Sequence, residues 1–284
     1  MRDMGIKELR GAPVAAGIAE TLKPRIAALA AQNSIPCLGV LRFGQREEDI
    51  AYEKGLTKRF NAAGACVKVK ALPEDADGLA AQAALTELND DKSVHGILVL
   101  RPLPARIDED KLMRLIPAEK DVDGMGMLNA GLLLMGKSCF APCTAQAVME
   151  LISYYGIELN GKAVCIIGRS NVAGKPLAML LLKENATPTI CHTKTADIKK
   201  ACLDADIIIA SAGSAGMLKT DMVNEASVLI DVGINLVGGR LTGDVSREAC
   251  ERAAMYTPVP GGIGAVTTAV LLMHTVEAAE KAQA

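Results

Sequence analysis

The run Ala163-Val-Cys-Ile-Ile-Gly168-Arg169-Ser170-Asn171-Val172-Ala173-Gly174-Lys175-Pro176 decides how the rest of the chain is read. Five β-favouring apolar residues lead into a glycine turn, and Pro176 suits the first turn of a helix, whose free N–H groups favour anions. Gly168 and Gly174 let the backbone approach a phosphate group. The spacing is not G-x-G-x-x-G, so the run by itself fits an ordinary strand–turn–helix connection as well as a dinucleotide site.

The next strand sharpens the choice. In sites that prefer NAD, an acidic residue near the end of this strand holds the ribose 2′-hydroxyl. Here that end reads Cys191-His192-Thr193-Lys194-Thr195, with hydroxyls and a cation but no acid. Arg169 adds a second cation, and a 2′-phosphate fits such a place better than a bare hydroxyl. The bland reading makes Arg169 and Lys194 solvated loop charges. Both flank the expected groove, so NADP is favoured as cofactor.

Outward from this unit, short β-rich runs alternate with helical stretches. The strand-like runs are 36–41, 65–71, 96–100, 163–168, 187–191, 206–210, 227–232 and 255–258. Between them, stretches such as 14–29, 79–88, 145–155 and 176–183 carry apolar residues at three- and four-residue spacing. This alternation predicts parallel sheets covered on both faces. The predicted fold class is α/β in two domains: a three-layer substrate domain and a Rossmann-type doubly wound NADP domain, with the active site in the cleft between them. Residues 1–143 with 267–284 are assigned to the first domain and 144–266 to the second. The boundary is set by the aperiodic Gly- and Leu-rich stretch 129–142.

With 284 residues, half of them hydrophobic, the chain can bury a sizeable core. That core must be aliphatic, since there is no Trp and only 3 Phe and 4 Tyr. A net charge of -2, without a basic run, argues against a nucleic-acid partner. The eight cysteines are scattered without C-x-x-C pairs. They are expected to be reduced, buried small residues of a cytoplasmic protein, with no metal site. No secretory segment follows Met1-Arg2-Asp3-Met4-Gly5, and no apolar stretch reaches the ~18 residues that a membrane span needs.

Several runs together resemble the methylenetetrahydrofolate dehydrogenase/cyclohydrolase family over nearly the whole chain. They are Gly96-Ile-Leu-Val, Pro102-Leu-Pro, Lys120-Asp-Val-Asp123-Gly, Pro142-Cys-Thr144, Gly168-Arg-Ser-Asn, Asp231-Val-Gly-Ile234-Asn, Gly243-Asp-Val and Thr257-Pro-Val-Pro-Gly-Gly-Ile-Gly264. The resemblance implies a reduced folate as substrate, NADP as cofactor and a homodimer. It implies Tyr52 and Asp123 as catalytic residues, with Leu100, Pro102, Pro260, Gly261 and Gly262 also at the substrate. The implied cofactor set is Gly168, Arg169, Ser170, Gly174, Thr193, Gly213 and Ile234.

Two positions depart from the family pattern. Four residues on from Tyr52, where the family has Lys, this chain has Leu56; where the family's strand has Gln, it has Leu100. Lys54 and Lys58 lie roughly 200° and 240° round a helix from Tyr52 and do not share its face. Ala145, Ala265 and His274 stand where the family usually has Pro, Pro and Asn. Hydride removal from the methylene bridge moves no proton, whereas opening of the methenyl product needs acid–base help worth about 10²–10⁴-fold. The sequence therefore predicts a dehydrogenase with weak or lost cyclohydrolase activity. The alternatives are a bifunctional enzyme and, more distantly, a shikimate- or amino-acid-type dehydrogenase. Asp123 has a blander reading as a solvated turn, though the Met/Leu-rich segment after it favours a cleft wall, and Arg101 is open between a cleft cation and a surface charge.

Overall fold

The computed structural model describes residues 7–283, so the stretch Met1–Gly5 lies outside the described residues. Among the described residues, eleven strands and ten α-helices alternate along the chain. The chain separates into two compact units, one of residues up to Ala16 with Thr144–Thr267, the other Gly17–Cys143 with Thr268–Ala284.

In chain order, the elements up to residue 143 are β1 (Lys7–Glu8), α1 (Gly11–Ala31), β2 (Cys37–Phe43), α2 (Glu47–Ala62), β3 (Cys66–Leu72), α3 (Gly78–Asp90), β4 (Gly96–Val99), α4 (Glu109–Met113) and α5 (Met127–Leu134). The smaller sheet has the order β3-β2-β4, parallel throughout. Its middle strand is buried almost end to end, as a strand covered on both faces must be. Gly39 makes room there for Leu88 of α3 and for Val94, each of which a Cβ would meet at 3.0 Å. Asp77 caps α3, its carboxylate accepting from Ala80 N at 2.8 Å. Helix α2 has three acids in its first turn and Arg59 in its last, matching the helix dipole. Its buried stripe is Leu56 and Phe60, one turn apart.

The other unit adds α6 (Cys143–Tyr154), β5 (Ala163–Ile167), α7 (Gly174–Lys183), β6 (Thr187–Cys191), α8 (Ile198–Leu203), β7 (Ile207–Ala210), β8 (Val228–Asp231), β9 (Asn235–Val237), β10 (Arg240–Thr242), α9 (Arg247–Arg252), β11 (Met255–Tyr256) and α10 (Ile263–Lys281). Six strands form a parallel sheet in the order β1-β11-β8-β7-β5-β6. The chain starts at β5, steps outward to β6, then returns past β5 to β7, which makes the β5/β7 boundary the switch point of a doubly wound sheet. The parallel α/β expectation holds in both units.

Three expectations need correction. Residues 7–16 do not belong with the rest of 1–143, because β1 pairs with β11 and Leu9 N donates to Tyr256 O at 2.7 Å. The aperiodic stretch after residue 126 contains the helix α5. Cys37 and Cys66 are not free thiols: they are register partners in adjacent parallel strands, 4.5 Å apart at Cα, and are joined as a disulfide. Among the described residues, no helix is long and apolar enough to cross a membrane.

Candidate functional site

At the switch point, β5 ends in the glycine turn that opened the sequence reading. Gly168 has φ +132°, a conformation that side chains rarely adopt, and a Cβ there would collide with the carbonyl oxygen of Ser211. A Cβ at Gly174 would collide in turn with the carbonyl oxygen of Gly168, so the start of α7 sits directly on the turn. A hollow of about 380 Å³ opens here, lined by Gly168, Arg169, Ser170, Thr193, Ser211 and Ala212 among others. It lies beyond the carboxyl ends of β5 and β7, where doubly wound sheets bind their ligands. The Ser211 hydroxyl is buried and has no hydrogen-bond partner, leaving a polar group ready for a ligand. Arg169, Thr193 and Lys194 are exposed. These features fit a dinucleotide with an extra phosphate.

The loop after β7 is held by a carboxylate. Asp244 is fully buried, and it accepts from Ala212 N at 2.6 Å, Gly213 N at 2.9 Å and Ser214 N at 2.8 Å. Asn235 Nδ2 also donates to it at 2.9 Å. Asp231 is gripped similarly by the amides of Gly233, Asp244 and Val245, while burial pushes its carboxyl up to about 6. Thr257 is tied in through its hydroxyl, which accepts from Asp231 N at 2.7 Å. The motifs around Asp231, Asp244 and Thr257 are therefore a scaffold, and Gly213 serves in it through its amide. Ile234, expected at the cofactor, is 65% exposed. Pro260, Gly261 and Gly262 form a tight loop against the start of α1, with Gly11 N donating to Gly261 O at 2.8 Å.

The second cluster lies in the other unit. Tyr52 projects from α2, one turn before Leu56, and interacts with Asp123, Cys143 and Thr268. Burial first, then the Asp123 carboxylate, pushes its phenol well above the usual range, although the residue as a whole is 42% exposed. Burial pushes Asp123 up to about 6; Asp121 acts in the same direction, and Arg101 opposes both. Arg101 Nη1 lies 3.6 Å from Asp123 Oδ2. The buried Cys143 thiol is raised by burial and by Asp123, so it stays protonated. It contacts the Val122 carbonyl at 3.3 Å and the His274 ring at 3.8 Å.

Sequence reasoning named Tyr52 and Asp123 but missed Thr268, Cys143 and Ser211. Cys143 sat inside a quoted motif; Thr268 and Ser211 carry no local signal, because only the fold brings them to their neighbours. Leu56 is 2% exposed and Leu100 is 7% exposed, so both are core residues. Lys54 and Lys58 are exposed. Pro102 lines a separate hollow of about 150 Å³ with Phe43 and Glu74. Arg101 is a half-buried ion-pair partner, which removes the surface-charge reading.

Comparison with known proteins adds three findings. The sequence model of the tetrahydrofolate dehydrogenase/cyclohydrolase catalytic domain matches residues 9–123, and that of the same family's NAD(P)-binding domain matches 142–283. The bifunctional protein FolD of Clostridium kluyveri is 44% identical over 273 residues, 95% of this chain and 96% of that one. Among solved structures, the bifunctional FolD of Campylobacter jejuni superposes with a TM-score of 0.95 at 39% identity, covering 98% and 99% of the two chains. The dehydrogenase-cyclohydrolase of Trypanosoma brucei, solved with NADP and an inhibitor, gives 0.92 at 34% identity, covering 97% and 98%.

Proposed function

Because this chain belongs to the tetrahydrofolate dehydrogenase/cyclohydrolase family, we propose that it oxidises 5,10-methylenetetrahydrofolate to the 5,10-methenyl form with NADP as hydride acceptor. The observation that carries this reading is the glycine-only turn at Gly168, with the unsatisfied Ser211 hydroxyl beside it. Arg169, Thr193 and Lys194 support the phosphorylated cofactor, as does the NADP in the trypanosomal relative.

In the reaction, the methylene carbon loses a hydride with its electron pair, and the lone pairs of the two flanking nitrogens spread the resulting positive charge. Bound NADP supplies the accepting nicotinamide. The chain's own task is to hold the two reactants in line. Asp123, once ionised, accepts hydrogen bonds from the amino group and ring N–H of the pterin. Tyr52 keeps its proton and stands beside that carboxylate as a neutral donor. Pro260, Gly261 and Gly262 bring backbone to the substrate in the same reading. The homodimer is carried over from the resemblance alone. A cytoplasmic location is part of the same reading and likewise comes from the sequence alone.

Two readings of the second activity remain. The relatives' names support a bifunctional enzyme that also hydrolyses the methenyl product, and the comparisons weigh on this side. One observation favours the other: the buried Leu56 and Leu100 can neither activate water nor pass a proton. Separate assays on the purified protein decide. Oxidation with NADP is expected in either case, and its absence sinks the dehydrogenase reading. Methenyltetrahydrofolate hydrolysis at a rate comparable to oxidation establishes the bifunctional enzyme. Accumulation of the methenyl product establishes the dehydrogenase.

A further inference from the structure

Arg101 follows β4 directly and is fixed by α4. Its Nε donates to Glu109 Oε1 at 2.6 Å, and its Nη2 lies 3.7 Å from the Met113 sulfur. Glu109 and Met113 are four residues apart and share a helix face, so two contacts orient one planar group. The side chain is 28% exposed, and the remaining edge of the guanidinium faces Asp123. The other groups acting on that carboxylate are Asp121, which opposes its charge, and the neighbouring Cys143 thiol. Tyr52 adds a neutral phenol, with the Arg59 cation acting on that phenol. Position 56, where a lysine would stand in the resembling family, supplies only a buried methyl-ended side chain.

We propose that Arg101 is a positioning residue of the folate site, the cation that keeps Asp123 ionised and aimed for the pterin in a site whose helix offers Leu56 instead of a lysine. The proposal rests on the reading of Asp123 as the pterin anchor. It deepens that reading, because a guanidinium never gives up its proton. Arg101 therefore replaces the lysine's charge without replacing its acid–base chemistry.

The test separates this role from the function itself. In the full-length protein with ¹³C-labelled aspartate, the Asp123 carboxyl signal, identified by its loss in Asp123→Asn, is titrated without substrate. The wild-type midpoint is expected near 6. In Arg101→Gln it should rise by about one pH unit or more, as for an aspartate losing an adjacent arginine. Arg101→Lys should restore most of the difference. The acid limb of kcat/KM for methylenetetrahydrofolate should move with the midpoint, and the Kd for NADP should not. Arg101→Met, which keeps the apolar stem, serves if the glutamine variant does not fold. An unmoved midpoint overturns the proposal, as does an equal loss of NADP affinity. A midpoint that moves in a protein without dehydrogenase activity upholds the ion pair and sinks the dehydrogenase reading instead.

Discussion

Around Gly168 the candidate site is made of main chain, while around Asp123 it is made of side chains. At the first, the turn, the start of α7 and Ser211 are pressed together so that glycine is the only residue that fits at two positions. The loop's amides are fixed by one buried carboxylate, Asp244. At the second, Tyr52, Asp123, Arg101, Cys143 and Thr268 arrive from five separate segments, each replaceable by a single substitution. A main-chain site resists change, because altering it means a collision. A side-chain site can lose a lysine and a glutamine and acquire an arginine while its backbone stays the same. The two departures named in the sequence reading, Leu56 and Leu100, both belong to the second.

The strongest way to break this contrast is at Gly168. Gly168→Ala puts a Cβ against Ser211 O in a backbone conformation alanine rarely adopts. Strain and overpacking together should cost about 2–6 kcal/mol. Thermal unfolding and NADP calorimetry are expected to show a lower Tm and no measurable NADP binding. Unchanged values for both would mean that the turn is not the tight cradle described.

Legibility followed the same division. The parallel sheets could be read in advance, because strands buried on both faces leave uninterrupted apolar runs such as Ala163–Ile167 and Ile207–Ala210. The shortest elements could not: β1 is two residues long, and each strand of the hairpin β9–β10 is three, with Leu236, Val237 and Leu241 exposed. The helix α5 was hidden because none of its leucines is buried, so they show no one-sided pattern. Tyr52 and Asp123 were named through the family resemblance. Arg101 was visible as a residue but not as a contact, since its meaning depends on Glu109 and Asp123 meeting it from two directions. Burial of Leu56 follows from its place one turn before Phe60 on the core stripe of α2. Any lysine grafted there must therefore displace core packing as well as reach the site.

A second prediction sharpens the side-chain half. Asp123→Asn removes the charge but keeps the shape. The loss of charge-assisted hydrogen bonds, worth about 1.5–3 kcal/mol, should lower kcat/KM for the folate about ten- to hundredfold. NADP affinity should not change. The wild type carries the sign of the shifted carboxyl: above about 6 Asp123 is ionised and competent, and below it activity falls. That acid limb should vanish in Asp123→Asn. A variant with normal kinetics and an unaltered pH profile would return Asp123 to a solvated turn.

The smallest effect is expected where the main-chain site does use a side chain. Arg169 leaves the turn exposed to solvent, with Thr193 and Lys194 at the end of the neighbouring strand. No acid stands there to hold a ribose hydroxyl, so these residues, not the cradle, choose between the two nicotinamide dinucleotides. Arg169→Ala should leave the turn, the Asp244 grip and the Ser211 hydroxyl intact, and NAD binding should be nearly unaffected. Binding of NADP should weaken by about 1–3 kcal/mol through loss of one charge-assisted contact to the 2′-phosphate. Raising ionic strength should reduce the difference, because an exposed contact is screened by salt. Calorimetry with both cofactors measures it directly. Equal weakening of NAD and NADP would place Arg169 at the shared diphosphate, and the side chain would then belong to the cradle that both cofactors use.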